Sequence, residues 1–197
     1  MIITSDFEFA EPVDKVWRFF DNIPQVASCL PGAELTRELG DDKYEGRVAI
    51  RMGPVRLQFA GTADVTERDE NGKKIVVNAA GADEKGRGQA AMVVSAVLSP
   101  RGRGTNVDVT QDLQLSGAAA QYGRGMISDV SAVLMRDFSA NMQDRIERLE
   151  RGESAEQIAA AGGGNSASGL SLAFRAARMA LTRVFRRFFL PYQPAAR

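Results

Sequence analysis

From residue 33 to residue 115 the chain alternates apolar and polar residues in six successive segments, about 33–39, 43–52, 54–68, 73–82, 86–99 and 104–115. Successive side chains on a strand point to opposite faces, so this alternation makes half-buried β-strands and assigns each residue to a covered or an open side. Turn-forming residues separate the segments: Gly40-Asp41-Asp42, Gly53-Pro54, Asn71-Gly72, Gly86 and Arg101-Gly102-Arg103-Gly104. Connections this short return the chain alongside itself and produce an antiparallel meander. The covered face reads Tyr44, Val48, Ile50 and Met52, then Val55, Leu57, Phe59 and Val65, then Met92, Val94 and Leu98, then Val107, Val109, Leu113 and Leu115. An apolar face of that length requires a second layer over it.

The flanking segments supply that layer. Residues 2–10 alternate as a further strand, with Ile3, Phe7 and Phe9 set against Thr4, Asp6 and Glu8. Pro12 opens a short helix, Val13 to Phe20, where its missing N–H is no loss, and Asn22-Ile23-Pro24 starts a second that stops at Pro31-Gly32. From about Ala118 to Leu149 the apolar period becomes helical, with Met126, Val130, Val133, Leu134, Phe138, Met142, Ile146 and Leu149 on one stripe. Strand, two short helices, six antiparallel strands and a long helix is the order of the α+β helix-grip architecture. There a curved sheet wraps the long C-terminal helix, and a hydrophobic cavity is expected between them.

Composition removes several kinds of chemistry. The chain has no histidine, which takes away the commonest general base and metal ligand near neutral pH. No catalytic or metal-ligating residue is therefore assigned. Its single cysteine, Cys29, lies in the apolar stretch Val26-Ala27-Ser28-Cys29-Leu30 and reads as a buried structural thiol. Gly81 to Gly88 looks superficially like a phosphate loop, yet no helix pattern follows it and the lysine spacing is wrong. Asp41, Asp42, Asp69, Glu70, Asp83 and Glu84 fall at connections, where a solvated surface is expected.

Charge is distributed unevenly. Of 25 basic and 25 acidic residues, residues 165–197 hold six arginines and no acid, leaving the body net acidic. The helix-grip domain is expected over 1–151, a flexible Gly/Ala/Ser linker over 152–168, a cationic amphipathic helix over 169–190 and a disordered end over 191–197. At 100° per residue, Leu170, Phe174, Ala177, Leu181, Val184, Phe185 and Phe188 share one side of that helix, and Arg175, Arg178, Arg183, Arg186 and Arg187 the other. Five arginines make spanning a bilayer unfavourable, whereas lying in the interface places phenylalanines among acyl chains and arginines among anionic headgroups. Phe174, Arg175, Arg178, Leu181, Arg183, Phe185, Arg186, Arg187 and Phe188 are the expected membrane contacts. A partner protein's groove and a nucleic-acid arm are the alternatives, the latter disfavoured by the phenylalanine stripe. With no signal-peptide pattern at Met1-Ile2-Ile3-Thr4, the expected location is cytoplasmic, peripheral on the inner face of the cell membrane.

Five features together resemble the CoxG family of carbon monoxide dehydrogenase proteins, within the START-like, Bet v1-like helix-grip superfamily. They are Glu11-Pro12 with Val16-Trp17; Cys29-Leu30-Pro31-Gly32-Ala33-Glu34; Gly53-Pro54-Val55 with Phe59 and Gly61; the small-residue strand from Gly86 and Gly88; and Gly117 with Gln121, Gly123 and Arg124. The resemblance covers residues 1 to about 150. It implies a non-enzymatic accessory protein of a molybdenum-containing carbon monoxide dehydrogenase that brings the enzyme to the membrane. Electrons taken from carbon monoxide in the cytosol must reach quinones in the bilayer, so a respiratory quinone, menaquinone or ubiquinone, is the expected cavity ligand, with no covalent cofactor. A lipid-transfer protein or a cyclase-type enzyme are the rival readings. Residues expected around the cavity are Trp17, Phe20, Leu30, Tyr44, Leu57, Phe59, Met92, Val94, Leu98, Met126, Val130, Val133 and Leu134. For any one of them ordinary core packing is the more common role, since every domain needs such residues. Tyr44, Gln111, Gln121 and Arg124 are the candidates to hydrogen-bond a quinone carbonyl if they point inward.

Overall fold

A computed structural model describes residues 1–52, 55–154 and 157. Gly53-Pro54, the amphipathic helix expected over 169–190 and the end expected over 191–197 lie outside the described residues, as does most of the expected linker. Alternation resolves into seven strands: β1 (Ile2–Phe9), β2 (Ala33–Gly40), β3 (Lys43–Met52), β4 (Val55–Asp69), β5 (Lys74–Asp83), β6 (Gln89–Arg101) and β7 (Gly104–Leu115). They form one antiparallel sheet in the order β1-β7-β6-β5-β4-β3-β2. The meander runs β2 to β7 between nearest neighbours, and β1 closes onto β7 with Ile2 opposite Asp112 and Phe9 opposite Thr105. The segment expected from residue 86 begins as a strand only at Gln89, because Gly86 and Gly88 hold positive φ in the connection before it.

Local chemistry sets the turns and helix ends. Between β4 and β5 the Asp69 carboxylate accepts from the N–H groups of Asn71 and Gly72, an Asx-type turn. Lys73, next in that turn, pairs with Asp14 at 2.9 Å and lies 5.6 Å from the Trp17 ring centroid, which ties the hairpin to α1 (Val13–Phe20). In α2 (Ile23–Cys29) the Asn22 side chain accepts from Gln25 N at 3.1 Å and caps the first turn. The long helix, α3, runs Gly123–Glu150 after a 3-10 segment, Gly117–Tyr122. The start expected at Ala118 is therefore displaced, since Gly123 at φ 73° interrupts any continuous right-handed helix through 118–123.

The interior holds two hydrophobic clusters under one sheet. The first gathers Val16, Trp17, Phe19 and Phe20 of α1, Cys29, inward residues of β5, β6, β7 and β1, and Phe138, Met142 and Ile146 of α3. The second gathers Ile3, Leu57, Phe59, Ala119 and Ile127, with Val48, Ile50, Leu113, Leu115 and Val130 packed against it. The long helix spans both, its C-terminal half on the first and its N-terminal half on the second. Its buried positions, Ile127, Ser131, Phe138, Met142 and Ile146, follow a stripe shifted by one residue in the N-terminal half from the one expected. Met126 and Val133, expected to face the sheet, are 41% and 46% exposed, which corrects their assignment to the cavity. The physical reason is that 126, 127, 130, 133, 134 and 135 are all apolar, so two overlapping faces satisfy the helical period and packing chooses between them.

Candidate functional site

The inner face of the sheet between the two clusters carries very little side-chain bulk. Register places Gly46 opposite Gly61, Gly61 opposite Gly81 and Gly81 opposite Ala90, one row across four strands on the side of Leu57 and Phe59. The next row runs Tyr44, Ala63, Ala79, Met92 and Leu113. Beyond it, Val65, Val77 and Val94 pack against the first cluster. The glycine row also marks where the sheet folds over. A Cβ on Gly46 would stand 2.7 Å from the Glu34 carbonyl oxygen, one on Gly81 2.9 Å from that of Ala60, and one on Gly61 2.5 Å from Gly81 Cα while overlapping the Ala80 carbonyl. Backbones approach there more closely than a side chain tolerates, the use of glycine at a tight bend in a strand.

The residues expected around a cavity divide three ways. Trp17, Phe20 and Leu98 are buried in the first cluster, with Leu30 and Val94 packed against it. Leu57 and Phe59 are buried in the second, with Val130 against it. Tyr44, Met92 and Leu134 are half-buried and belong to neither, and register sets Tyr44 and Met92 in the row next to the glycines. Met126 and Val133 do not join them.

Polar groups in the interior are few. Of the four hydrogen-bonding candidates, Gln121 and Arg124 are exposed. Burial, with Asp42 and Glu38 beside it, raises the Tyr44 phenol above its ordinary pKa. Gln111 is 5% exposed on the inner face, opposite Ile3 on β1 and Val94 on β6, and its Nε2 has no hydrogen-bond partner among the described residues. Ser131 of α3 is also buried, between Ile127 of one cluster and Phe138 of the other along the helix. Cys29 is 1% exposed, donates to Gln25 O, and is pushed up to about 11 by burial, partly offset by Arg145. A thiol held protonated in this way is a poor nucleophile.

Asp83 corrects the expectation of a solvated surface at the connections, being 3% exposed at the end of β5. Its carboxylate accepts from Arg87 Nε at 2.8 Å, from a terminal guanidinium nitrogen of Arg87 at 2.8 Å, and from the N–H groups of Gln58, Lys85 and Arg87. Arg87 also donates to the Arg56 carbonyl, so the β5–β6 connection is locked onto β4. The Arg87 hydrogen bonds above all, with the backbone donors, hold Asp83 well below the usual carboxylate range despite desolvation. A saturated carboxylate of this kind serves structure, not general base catalysis. Because its folded pKa is depressed, its stabilisation is complete above the unfolded value of about 3.9 and is lost as pH falls below it. Asp83→Asn is expected to lower the thermal midpoint clearly at pH 7, far more than the exposed control Glu70→Gln. The gap from wild type should narrow as melts are repeated from pH 7 down past pH 4.

Glu11, 8% exposed, is the other buried carboxylate. Its Oε1 accepts from Gln143 Nε2 at 3.0 Å, its Oε2 has no partner among the described residues, and its backbone carbonyl accepts from Thr105 Oγ1. No group of three or more His, Cys, Asp or Glu side chains gathers among the described residues. A depression of about 250 Å³ lies on the opposite face of the sheet, lined by Thr62, Asp64, Asn78, Ala80, Ala91, Val93, Asp112 and Gln114, with Ala79 and Met92. Five of its ten lining residues are polar, two of them carboxylates, so it suits an apolar ligand less well than the inner strip.

Residues 6–147 match the family model of the carbon monoxide dehydrogenase protein CoxG. No curated protein matches the chain. Among solved structures, a conserved protein from Geobacillus kaustophilus is similar with a TM-score of 0.67 at 21% identity, covering 75% of this chain and 96% of that one. The Zhui aromatase/cyclase from Streptomyces sp. R1128 is similar with a TM-score of 0.56 at 15% identity, over 79% of this chain and 97% of that one. A protein of Thermus thermophilus has a TM-score of 0.55 at 14% identity, over 76% and 99%. At these identities the likenesses establish the helix-grip fold and nothing finer.

Proposed function

The chain belongs to the CoxG family of carbon monoxide dehydrogenase proteins, and from that premise we propose that it is a non-enzymatic accessory protein. In this reading it brings a molybdenum-containing carbon monoxide dehydrogenase to the cytoplasmic face of the membrane and carries a respiratory quinone for it. The family match over residues 6–147 is the observation that carries the reading.

Physical features agree with it. An apolar ligand needs space with little bulk and few polar anchors, and Gly46, Gly61, Gly81, Ala63 and Ala79 on the inner face of the sheet are in keeping with that. A membrane role without a membrane span needs an interfacial element. No helix among the described residues is long and apolar enough to cross a membrane, and the arginine- and phenylalanine-rich sequence over 169–190 supplies the interfacial alternative.

The rival is a cyclase-type enzyme, and the likeness to an aromatase/cyclase concerns the fold alone. General acid–base work needs a free group at the ligand. Here Asp83 is saturated by Arg87 and backbone donors, and Glu11, although its Oε2 has no partner among the described residues, lies by Thr105 at the start of β7, whereas the glycine row reaches β7 at its other end, by Leu115. The experiment is affinity capture of the full-length chain from its native host, with organic extraction and mass spectrometry of what it carries. Co-purification of a molybdenum hydroxylase together with a quinone is the expected result. Capture of lipid alone, with no hydroxylase, would favour the lipid-transfer reading and sink the proposal.

A further inference from the structure

Along β7 the inward positions are Thr105, Val107, Val109, Gln111, Leu113 and Leu115. Thr105 has its partner in the Glu11 carbonyl. Gln111 lies where the two clusters meet, between Val109 of one and Leu113 against the other, opposite Ile3 and Val94. Every neighbour in register is apolar. The carboxamide is 95% buried by its 5% exposure, and Nε2 has lost its hydration without gaining an acceptor from the described residues. A buried donor left in this state carries its full desolvation penalty, which a leucine of similar size would not.

We propose that Nε2 of Gln111 donates a hydrogen bond to a carbonyl oxygen of the apolar ligand, and so makes this residue the determinant that selects oxygen-bearing ligands over plain hydrocarbons. The proposal rests on the reading that the interior takes an apolar ligand. It narrows four sequence candidates to one, because Tyr44 is only half-buried, beside the acidic Asp42 and Glu38, and both Gln121 and Arg124 are exposed. The specificity follows from asymmetry: a buried donor without an acceptor disfavours a hydrocarbon, while a carbonyl at hydrogen-bond distance satisfies it.

The test uses the full-length chain and two probes, decylubiquinone and dodecylbenzene, with binding read from Trp17 fluorescence, the chain's one tryptophan. Gln111→Leu, and the equally long Gln111→Met, are expected to weaken decylubiquinone about tenfold. Dodecylbenzene should bind both variants as well as or better than wild type, and the ligand-free thermal midpoint should hold or rise. A midpoint that falls in both variants would assign Gln111 a structural hydrogen bond and overturn the proposal. Unchanged decylubiquinone affinity would overturn it too, while leaving the quinone reading standing. Failure of wild type to bind either probe would remove the apolar-ligand reading itself, and the proposal with it.

Discussion

Replacing Gly61 by alanine is expected to lower the thermal midpoint of the domain by roughly 6–12 °C. An added methyl would overlap the Ala80 carbonyl oxygen and stand 2.5 Å from Gly81 Cα, both backbone atoms of the neighbouring strand. Flexible side chains can move aside, but a strand hydrogen-bonded on both edges cannot. Relief requires β4 and β5 to separate at the bend, breaking the ladder around Gly61 and Gly81 and disturbing Gly46 on the other side. Overpacking of this kind costs up to about 3 kcal/mol and sometimes more, and for a domain near 150 residues each kcal/mol moves the midpoint by roughly 2–4 °C. The control is Gly125→Ala on α3. No atom lies within 4 Å of its added Cβ and its φ is not in the left-handed region. There alanine should stabilise by about 0.5–1 kcal/mol through helix propensity and reduced freedom of the unfolded chain. Scanning calorimetry of the two variants beside wild type decides it, and a Gly61→Ala midpoint within 2–4 °C of wild type, about the shift that 1 kcal/mol produces, would show that the sheet is not bent at this row.

That bend is not legible in the sequence, although the strands around it are. Period-two alternation locates the strands within a few residues, because each strand's pattern is local and each turn has its own chemistry, as at Asp69-Glu70-Asn71-Gly72. The helix-grip order follows from those elements. Gly46, Gly61 and Gly81 are far apart in sequence, and only strand register shows that they form one row. Nothing in their local context separates a bend from an ordinary small residue. Asp83 escapes sequence reasoning for a related reason. It sits in a polar connection, and its burial depends on Gln58 and Arg56 across the sheet. Among site residues the apolar strand positions, such as Leu57 and Phe59, are legible from alternation. Met126 and Val133 are not, since α3 is apolar on more than one face and the choice belongs to packing. Gln111 is legible as an inward polar residue; its lack of a partner is not.

Removing residues 165–197 is expected to abolish sedimentation of the protein with vesicles containing anionic phosphatidylglycerol, while leaving the thermal midpoint of the remaining domain unchanged. The expectation comes from sequence: Arg175, Arg178, Arg183, Arg186 and Arg187 face one way at helical spacing, and Phe174, Leu181, Phe185 and Phe188 the other. Near an anionic surface each arginine contributes about 1 kcal/mol, so five supply ~5 kcal/mol, a factor of roughly 10³–10⁴ in partitioning. Screening then sets the salt dependence. The Debye length falls from about 10 Å at 0.1 M to about 3 Å at 1 M, so binding by the full-length chain should weaken steeply across that range. Apolar contact is not screened. Phe174→Ala with Phe185→Ala and Phe188→Ala should therefore weaken binding at every salt concentration, whereas Arg183→Glu with Arg186→Glu and Arg187→Glu should act mainly at low salt. Neutral phosphatidylcholine vesicles separate the remaining alternative. A tail built for a protein groove would ignore lipid charge, and full-length chain left in the supernatant with both vesicle types would transfer these side chains from the membrane to a partner's groove. Retention on anionic vesicles alone fits a reversible tether, which holds the domain within reach of quinones in the bilayer and leaves it free to release when the surface charge is masked.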